Sequence, residues 1–266
     1  MERKSVFSGS WYPSSQEQLD RIVESGSRLD VPVRFAVLPH AGLYYSGPFI
    51  SCFFRSLPPS VRRVLIISPS HYYALDDDML VTSGFDCAGT AYGNVPVFST
   101  ALDCTMRADD VIQREHGIEM FLPFIGKRQL SAGFLVISRL SSPDALRRIA
   151  DAADSLIDEG TAVIASSDFT HYGSRFGFSP YGRNNAEERV EEHDLRLANL
   201  LASGDWKAVF EEHRKTTVCG IVPAMIVSAL ALRHRLTGFA ADYGNSNRIS
   251  GAADESFVSY ASVMWR

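Results

Sequence analysis

Arg34-Phe-Ala-Val-Leu-Pro-His40-Ala-Gly42 is a short apolar run that stops at a proline, a histidine and a glycine. The same grammar recurs in Arg62-Arg-Val-Leu-Ile-Ile-Ser-Pro-Ser-His71 and in Thr161-Ala-Val-Ile-Ala-Ser-Ser-Asp168-Phe-Thr-His171. In each, a Val- and Ile-rich run gives way to Ser, Pro or Asp and then to His. Continuous apolar runs of this length predict strands covered on both faces, the pattern of a parallel sheet. Such sheets gather ligands and catalytic groups beyond the carboxyl ends of their strands. Three imidazoles are therefore expected on one rim.

Outward from these runs, Gly133-Phe-Leu-Val-Ile-Ser138 adds another buried strand. Ser142-Pro143 opens a helix with Pro at its first position. Leu146, Ile149, Ala150, Ala153, Leu156 and Ile157 then mark one apolar helical face. That helix leads into the strand ending at His171, the strand, helix, strand order of a right-handed crossover. Upstream, Ser14 and Ser15 with Glu17 and Gln18 form overlapping capping-box candidates, predicting a helix to about Gly26. Pro48 to Leu57 is apolar enough for a buried helix. Met79 to Ser83 reads as a short strand, Asp86 to Phe98 as turns with a minor β element, and Ala108 to Glu119 as mostly helical. Ser174 to Asn185, with Gly177, Pro180 and Gly182, reads as a loop suited to a lid or pocket wall. Helices are expected over Asn185 to Leu201, Asp205 to His213 and Gly220 to His234. Thr237 to Tyr243 and Glu255 to Trp265 alternate as two closing strands around a Gly-Asn-Ser-Asn turn. The expected fold is α/β: a single domain over residues 1–266 with a mostly parallel central sheet flanked by helices.

At 266 residues, 45% hydrophobic and 21% charged, the chain has the composition of an ordinary globular protein with a full core. A net charge of -5 gives no footprint for nucleic acid or an anionic membrane. The four cysteines, Cys52, Cys87, Cys104 and Cys219, form no C-x-x-C pair, which argues against a zinc ribbon and for a reducing, cytoplasmic setting. The N-terminus lacks the apolar core of a secretory signal. The longest greasy stretch, Ile221 to Leu232, is short of the roughly 20 residues a membrane span needs.

One strand-end histidine is ordinarily a hydrogen-bonding group; three in the same topological place point to a shared site, because neutral imidazole serves as metal ligand and acid-base group. Cys52 and Cys104 read as small buried hydrophobes. Cys219 differs, since a thiol at a helix start is expected to have a lowered pKa and to favour the thiolate. Two His and one Cys would make a three-ligand site with open positions, suited to iron, copper or zinc. Asp168, three residues before His171, either orients that imidazole or caps a turn through the backbone. Glu115-His116-Gly-Ile-Glu119 lacks the zincin spacing and reads as hydrogen-bonding support for the site. Trp11, Tyr12, Tyr44, Tyr45 and Tyr72 are weaker candidates for a pocket lining, with simple packing as the alternative. His193, His213 and His234 lie among charges and are assigned no role.

Taken together, Gly9-Ser-Trp11-Tyr12-Pro13, Pro39-His40-Ala-Gly42, Ser68-Pro-Ser-His71, Glu115-His116-Gly-Ile-Glu119-Met, Ser166-Ser-Asp168-Phe-Thr-His171-Tyr and Thr217-Val-Cys219-Gly220 resemble, in order, the motifs of the Memo family. With Tyr243-Gly-Asn-Ser and Val258-Ser-Tyr-Ala, the resemblance covers nearly the whole chain. It implies the α/β fold of class III extradiol dioxygenases, non-haem iron enzymes that cleave aromatic rings. It further implies His40, His71 and Cys219 as metal ligands, His171 as the histidine that handles protons, and Asp168 as its neighbour. In the ring-cleaving enzymes the third ligand is a carboxylate; here Cys219 takes that role, which alters charge donation to the metal and its oxidation chemistry. Iron or copper and redox chemistry follow from the resemblance, as do radical-SAM and AMMECR-type partners in a shared pathway. The leading expectation is an oxidase or dioxygenase-like enzyme on a small molecule. Its rivals are a zinc hydrolase using the same pocket and a non-catalytic module that binds a peptide or protein.

Overall fold

Each of the three runs becomes a strand, and the three lie side by side. The computed structural model describes residues 1–182 and 185–266. Phe35–Leu38, Thr161–Ser166, Arg63–Ser68 and Ser131–Val136 are neighbours in that order and all run parallel. Pro39 and Pro69 follow directly after two of them, where a residue without an N–H cannot continue the ladder. The Thr161–Ser166 strand sits between the other two His-bearing strands, so all three carboxyl ends share one rim.

Odd and even residues of these strands serve different cores. Ala36, Leu38, Val64, Ile66, Ala132, Phe134, Val136, Ala162 and Ile164 pack on one face with Ile50, Phe53 and Phe54 of the Leu43–Arg55 helix. Phe35, Val37, Leu65, Ile67, Leu135, Val163 and Ala165 pack on the other with the Pro143–Asp154, Ala186–Ser203 and Ile221–Arg233 helices. Burial on both faces explains why the runs do not alternate in polarity. Each fully buried Val, Ile, Leu or Phe contributes roughly 1.5–3 kcal/mol of transfer free energy.

The parallel centre is extended at both sides. Phe257–Trp265 joins Phe35–Leu38 in antiparallel sense and also pairs with Gly238–Asn245 and His171–Tyr172. On the far side, Leu80–Thr82 pairs antiparallel with Ser131–Val136 and parallel with Thr105–Arg107. Among the described residues this is a nine-stranded sheet in an α/β architecture. A small second sheet joins Glu2–Arg3 to the Cys87–Thr90 and Gly93–Pro96 hairpin. No helix among the described residues is long and apolar enough to cross a membrane.

Several expectations shift in detail. The helix expected over Pro48 to Leu57 runs from Leu43 to Arg55 and carries Pro48 inside it. The Gln16–Val23 helix begins after Ser15, whose side chain makes no cap bond. The Ala108 to Glu119 helix is broken at Glu115, which takes an extended conformation between Asp109–Arg114 and His116–Glu119. The Gly-Asn-Ser-Asn turn is the start of a helix, Ser246–Ser250, capped by the Asn245 side chain on Arg248 N–H. Cys104 is exposed, whereas Cys52 is half-buried against the core. Of the expected 174–185 loop, Ser174–Phe176 is a single 3₁₀ turn, and residues 183 and 184 lie outside the described residues.

Candidate metal centre

His40 leaves the end of its strand with its backbone N–H on Asp168 Oδ1 at 2.8 Å; Ala41 N–H bonds the same oxygen at 3.1 Å. Asp168 thus clasps the turn that carries His40, reaching across strands instead of capping its own. The imidazole is almost fully buried. Its Nδ1 lies 2.6 Å from Ser166 Oγ, and that hydroxyl lies 2.6 Å from the carbonyl oxygen of Gly117. A carbonyl only accepts, so Ser166 gives its single proton to Gly117 and must accept from His40 Nδ1–H. His40 Nε2 is left with its lone pair free. It sits 3.2 Å from Cys219 Sγ.

The break at Glu115 sets the second histidine. With its backbone extended there, the buried carboxylate turns inward and accepts from His71 N–H at 2.9 Å, His71 Nδ1 at 2.7 Å and Gly117 N–H at 2.8 Å. A carboxylate on Nδ1 fixes the tautomer and ring orientation and leaves Nε2 with its lone pair, as it does for ligating histidines generally. A Cβ on Gly117 would lie 2.4 Å from Ser68 Oγ and 3.0 Å from Ser166 Oγ, so any side chain there has to displace the hydroxyls beside the site. His71 is the open member of the set, its ring 22% exposed.

Cys219 arrives from the far end of the chain on the turn before the Ile221–Arg233 helix. Gly220 permits the approach: a Cβ would meet the Ser166 carbonyl oxygen at 2.1 Å. Gly220 N–H also bonds Ser167 Oγ at 3.0 Å. The expected depression of the thiol pKa at a helix start is overturned. Burial pushes the Cys219 thiol well up, and the Asp168 carboxylate pushes the same way. Loss of water outweighs the helix dipole, whose effect is at most ~2 kcal/mol even when partly buried.

One nitrogen each from His40 and His71 and Sγ of Cys219 lie within 4.8 Å of one another. Both free Nε2 atoms and a thiol are donors for zinc, copper or iron, so the residues present fit a metal ion. His71, Glu115 and His116 form a second close group. There, however, both Glu115 oxygens already accept N–H bonds, which makes the first set the better donor set.

His171 stands on the same rim. Its Nδ1 faces the carbonyl oxygens of Thr217 at 3.0 Å and Phe169 at 3.2 Å. Nδ1 therefore carries the proton and Nε2 is free. Asp168 lies near enough for its charge to feel His171, yet its carboxyl is raised above the usual range because burial outweighs that attraction. His116 rests 4.1 Å from the His71 ring and 4.6 Å from Trp11, with Nδ1 3.1 Å from Tyr72 Oη. Burial, then His71 and His171, hold its pKa down to about 3. The same causes, burial first, keep His40 neutral.

The aromatic candidates divide. Trp11 and Tyr72, both exposed, flank His116. Tyr12 is buried with its hydroxyl on Glu119 at 2.9 Å. Tyr44 is exposed and Tyr45 packs near Tyr260, so neither touches the histidine cluster by a ring contact. His193, His213 and His234 are half-buried rather than fully solvated, with His234 Nε2 on Asp154 at 2.8 Å. Sequence reasoning gave no role to Ser166 or Thr217, and read Glu119 only as part of a supporting motif. Glu119 accepts from Arg3 at 2.9 Å, from Val6 and Phe7 N–H and from Tyr12, and so fastens the segment that carries Trp11.

The description Memo-like protein matches residues 3–264 as a family model. The chain is 31% identical over 290 residues to the protein memo-1 homolog of Caenorhabditis elegans, covering 98% of this chain and 81% of that protein. It is 28% identical over 305 residues to a MEMO1 family protein of Schizosaccharomyces pombe, covering 98% of each. A MEMO1 family protein of Pyrococcus abyssi is 28% identical over 294 residues, covering all of both chains. With its motifs in order and the family model spanning almost its full length, the chain belongs to the Memo family.

Proposed function

We propose that this Memo-family chain is a metal-dependent redox protein that acts on a small organic molecule, with iron or copper held by His40, His71 and Cys219. One observation carries the reading. Ser166 and Glu115 each occupy the Nδ1 of a histidine, and a ring nitrogen of each histidine and the Cys219 thiol lie within 4.8 Å of one another. Such an ion supplies one-electron chemistry and open positions for O₂ or substrate.

The protein's own groups do the rest. Ser166 and Glu115 hold the ligand histidines in one tautomer before anything binds. Cys219 gives up its proton when a cation offsets the burial that keeps it a thiol. His171 keeps Nδ1–H on two carbonyls and exchanges a proton at Nε2. Asp168 positions the His40 turn. Trp11 and Tyr72 flank His116 and limit water at the cluster. A reducing, cytoplasmic setting belongs to the same reading, since the donor is a free thiol, and the resemblance adds radical-SAM and AMMECR-type proteins as pathway partners.

The test is metal content by elemental mass spectrometry on anaerobically purified, untagged protein, wild type against Cys219→Ser and His40→Ala. Near-stoichiometric iron or copper that falls in both variants is the expected result. Zinc in its place would shift the reading to a hydrolase, and absence of metal after reconstitution would refute it.

A further inference from the structure

Beside Cys219 lies a cavity of about 480 Å³ that the metal reading leaves unused. Its lining combines apolar Leu140, Val218 and Val222 with Arg139, His213 and Arg214, and Asp77 is its one acid. Asp77 is already spent, because Arg139 Nε lies 3.1 Å from its carboxylate and Arg139 Nη2 bonds the Leu75 carbonyl at 2.6 Å. His213 gives its Nδ1–H to the Phe210 carbonyl, which leaves Nε2 an acceptor and the anion to the arginine. Arg214 is exposed and makes no ion pair among the described residues. An unspent guanidinium at a cavity in a chain of net charge -5 is a local departure from the charge of the whole.

We propose that this cavity seats the substrate and that the substrate is an amphipathic organic acid. The inference rests on the reading that Cys219 belongs to the reactive centre and adds the class of molecule presented to it. The acid's carboxylate meets Arg214, as a planar guanidinium meets a carboxylate. Its apolar body lies along Leu140, Val218 and Val222, which turns one end toward Cys219. The volume suits a small metabolite, since ligand pockets run from about 300 to 1,000 Å³.

The probe is pentanoate, against its neutral counterpart pentanamide, titrated by calorimetry into wild type, Arg214→Ala and Arg28→Ala. Arg28 is an exposed arginine beside Leu29, which packs on the core of the opposite sheet face, and it controls for net charge. Expected are pentanoate binding near the millimolar range, about tenfold weaker binding of pentanamide, and a similar loss in Arg214→Ala with none in Arg28→Ala. Equal affinity for acid and amide, no heat from pentanoate, or an unchanged Arg214→Ala would overturn the proposal. Metal content of the same preparations separates the two claims. Metal bound without pentanoate binding defeats the cavity assignment alone, and Arg214-dependent pentanoate binding without metal defeats only the redox reading.

Discussion

Removing one hydroxyl tests the tautomer argument. In Ser166→Ala, His40 Nδ1–H loses its acceptor and the Gly117 carbonyl loses its donor, both in a region shut off from water. A buried group left unsatisfied costs about 1–3 kcal/mol, so two orphaned partners predict a loss of about 2–4 kcal/mol allowing for local relaxation. With no acceptor on Nδ1, His40 is also free to carry its proton on Nε2, the atom needed for a ligand. Loss of such a supporting group typically lowers metal affinity 10- to 100-fold. Urea denaturation of the metal-free variant reads the first effect, and competition with a chelator reads the second. Nitrogen NMR of the imidazole reads the tautomer directly. A Ser166→Ala protein with wild-type metal affinity and Nδ1–H still protonated would refute the reasoning, even if its stability had dropped.

Three further outcomes follow. With a folded pKa of about 3 against an ordinary value near 6.5, His116 stays neutral in the fold while the unfolded chain takes up a proton, so stability is lost as pH falls through that window. Between pH 7 and 5 the metal-free wild type should lose ~2 kcal/mol more than His116→Gln in paired urea titrations; equal losses would contradict the burial argument. Glu119→Ala strands the fully buried Arg3 guanidinium and should cost about 3–5 kcal/mol, with a shift in tryptophan emission as Trp11 loosens; a variant as stable as the wild type would remove the clasp role. Gly220→Ala drives a Cβ into the Ser166 carbonyl and should cost about 1–3 kcal/mol while displacing Cys219, read as lost metal uptake; full uptake would show that the turn can yield.

The parts of this molecule that were legible in the sequence are those encoded locally. The three apolar runs specify buried parallel strands by themselves, and a histidine just past each end lands on the shared rim because that is where the ends are. Glu115 could be read as support, since its motif sits between the ligand runs. What escaped depends on partners far along the chain. Ser166 looks like any strand-end serine until Gly117, 49 residues away, takes its proton. Thr217 matters only because its carbonyl meets His171. Tyr12 resembled a pocket aromatic until the buried Glu119 claimed its hydroxyl. The Cys219 thiol was misjudged because a helix start is visible in sequence and the depth of burial is not.

The placement of the Thr161–Ser166 strand between the two ligand strands also governs when the centre can come into being. Cys219 and His40 meet from 179 residues apart, and Ser166 reaches His40 from 126. Contacts of such separation form late, because the loops they close are entropically expensive until the intervening sheet is in place. No shorter stretch of the nascent polypeptide can assemble the donor set, so the growing chain offers scavenged metals only scattered weak ligands. In stopped-flow refolding, metal capture should coincide with the final folding phase, making the finished sheet the gatekeeper of which ion is acquired and when.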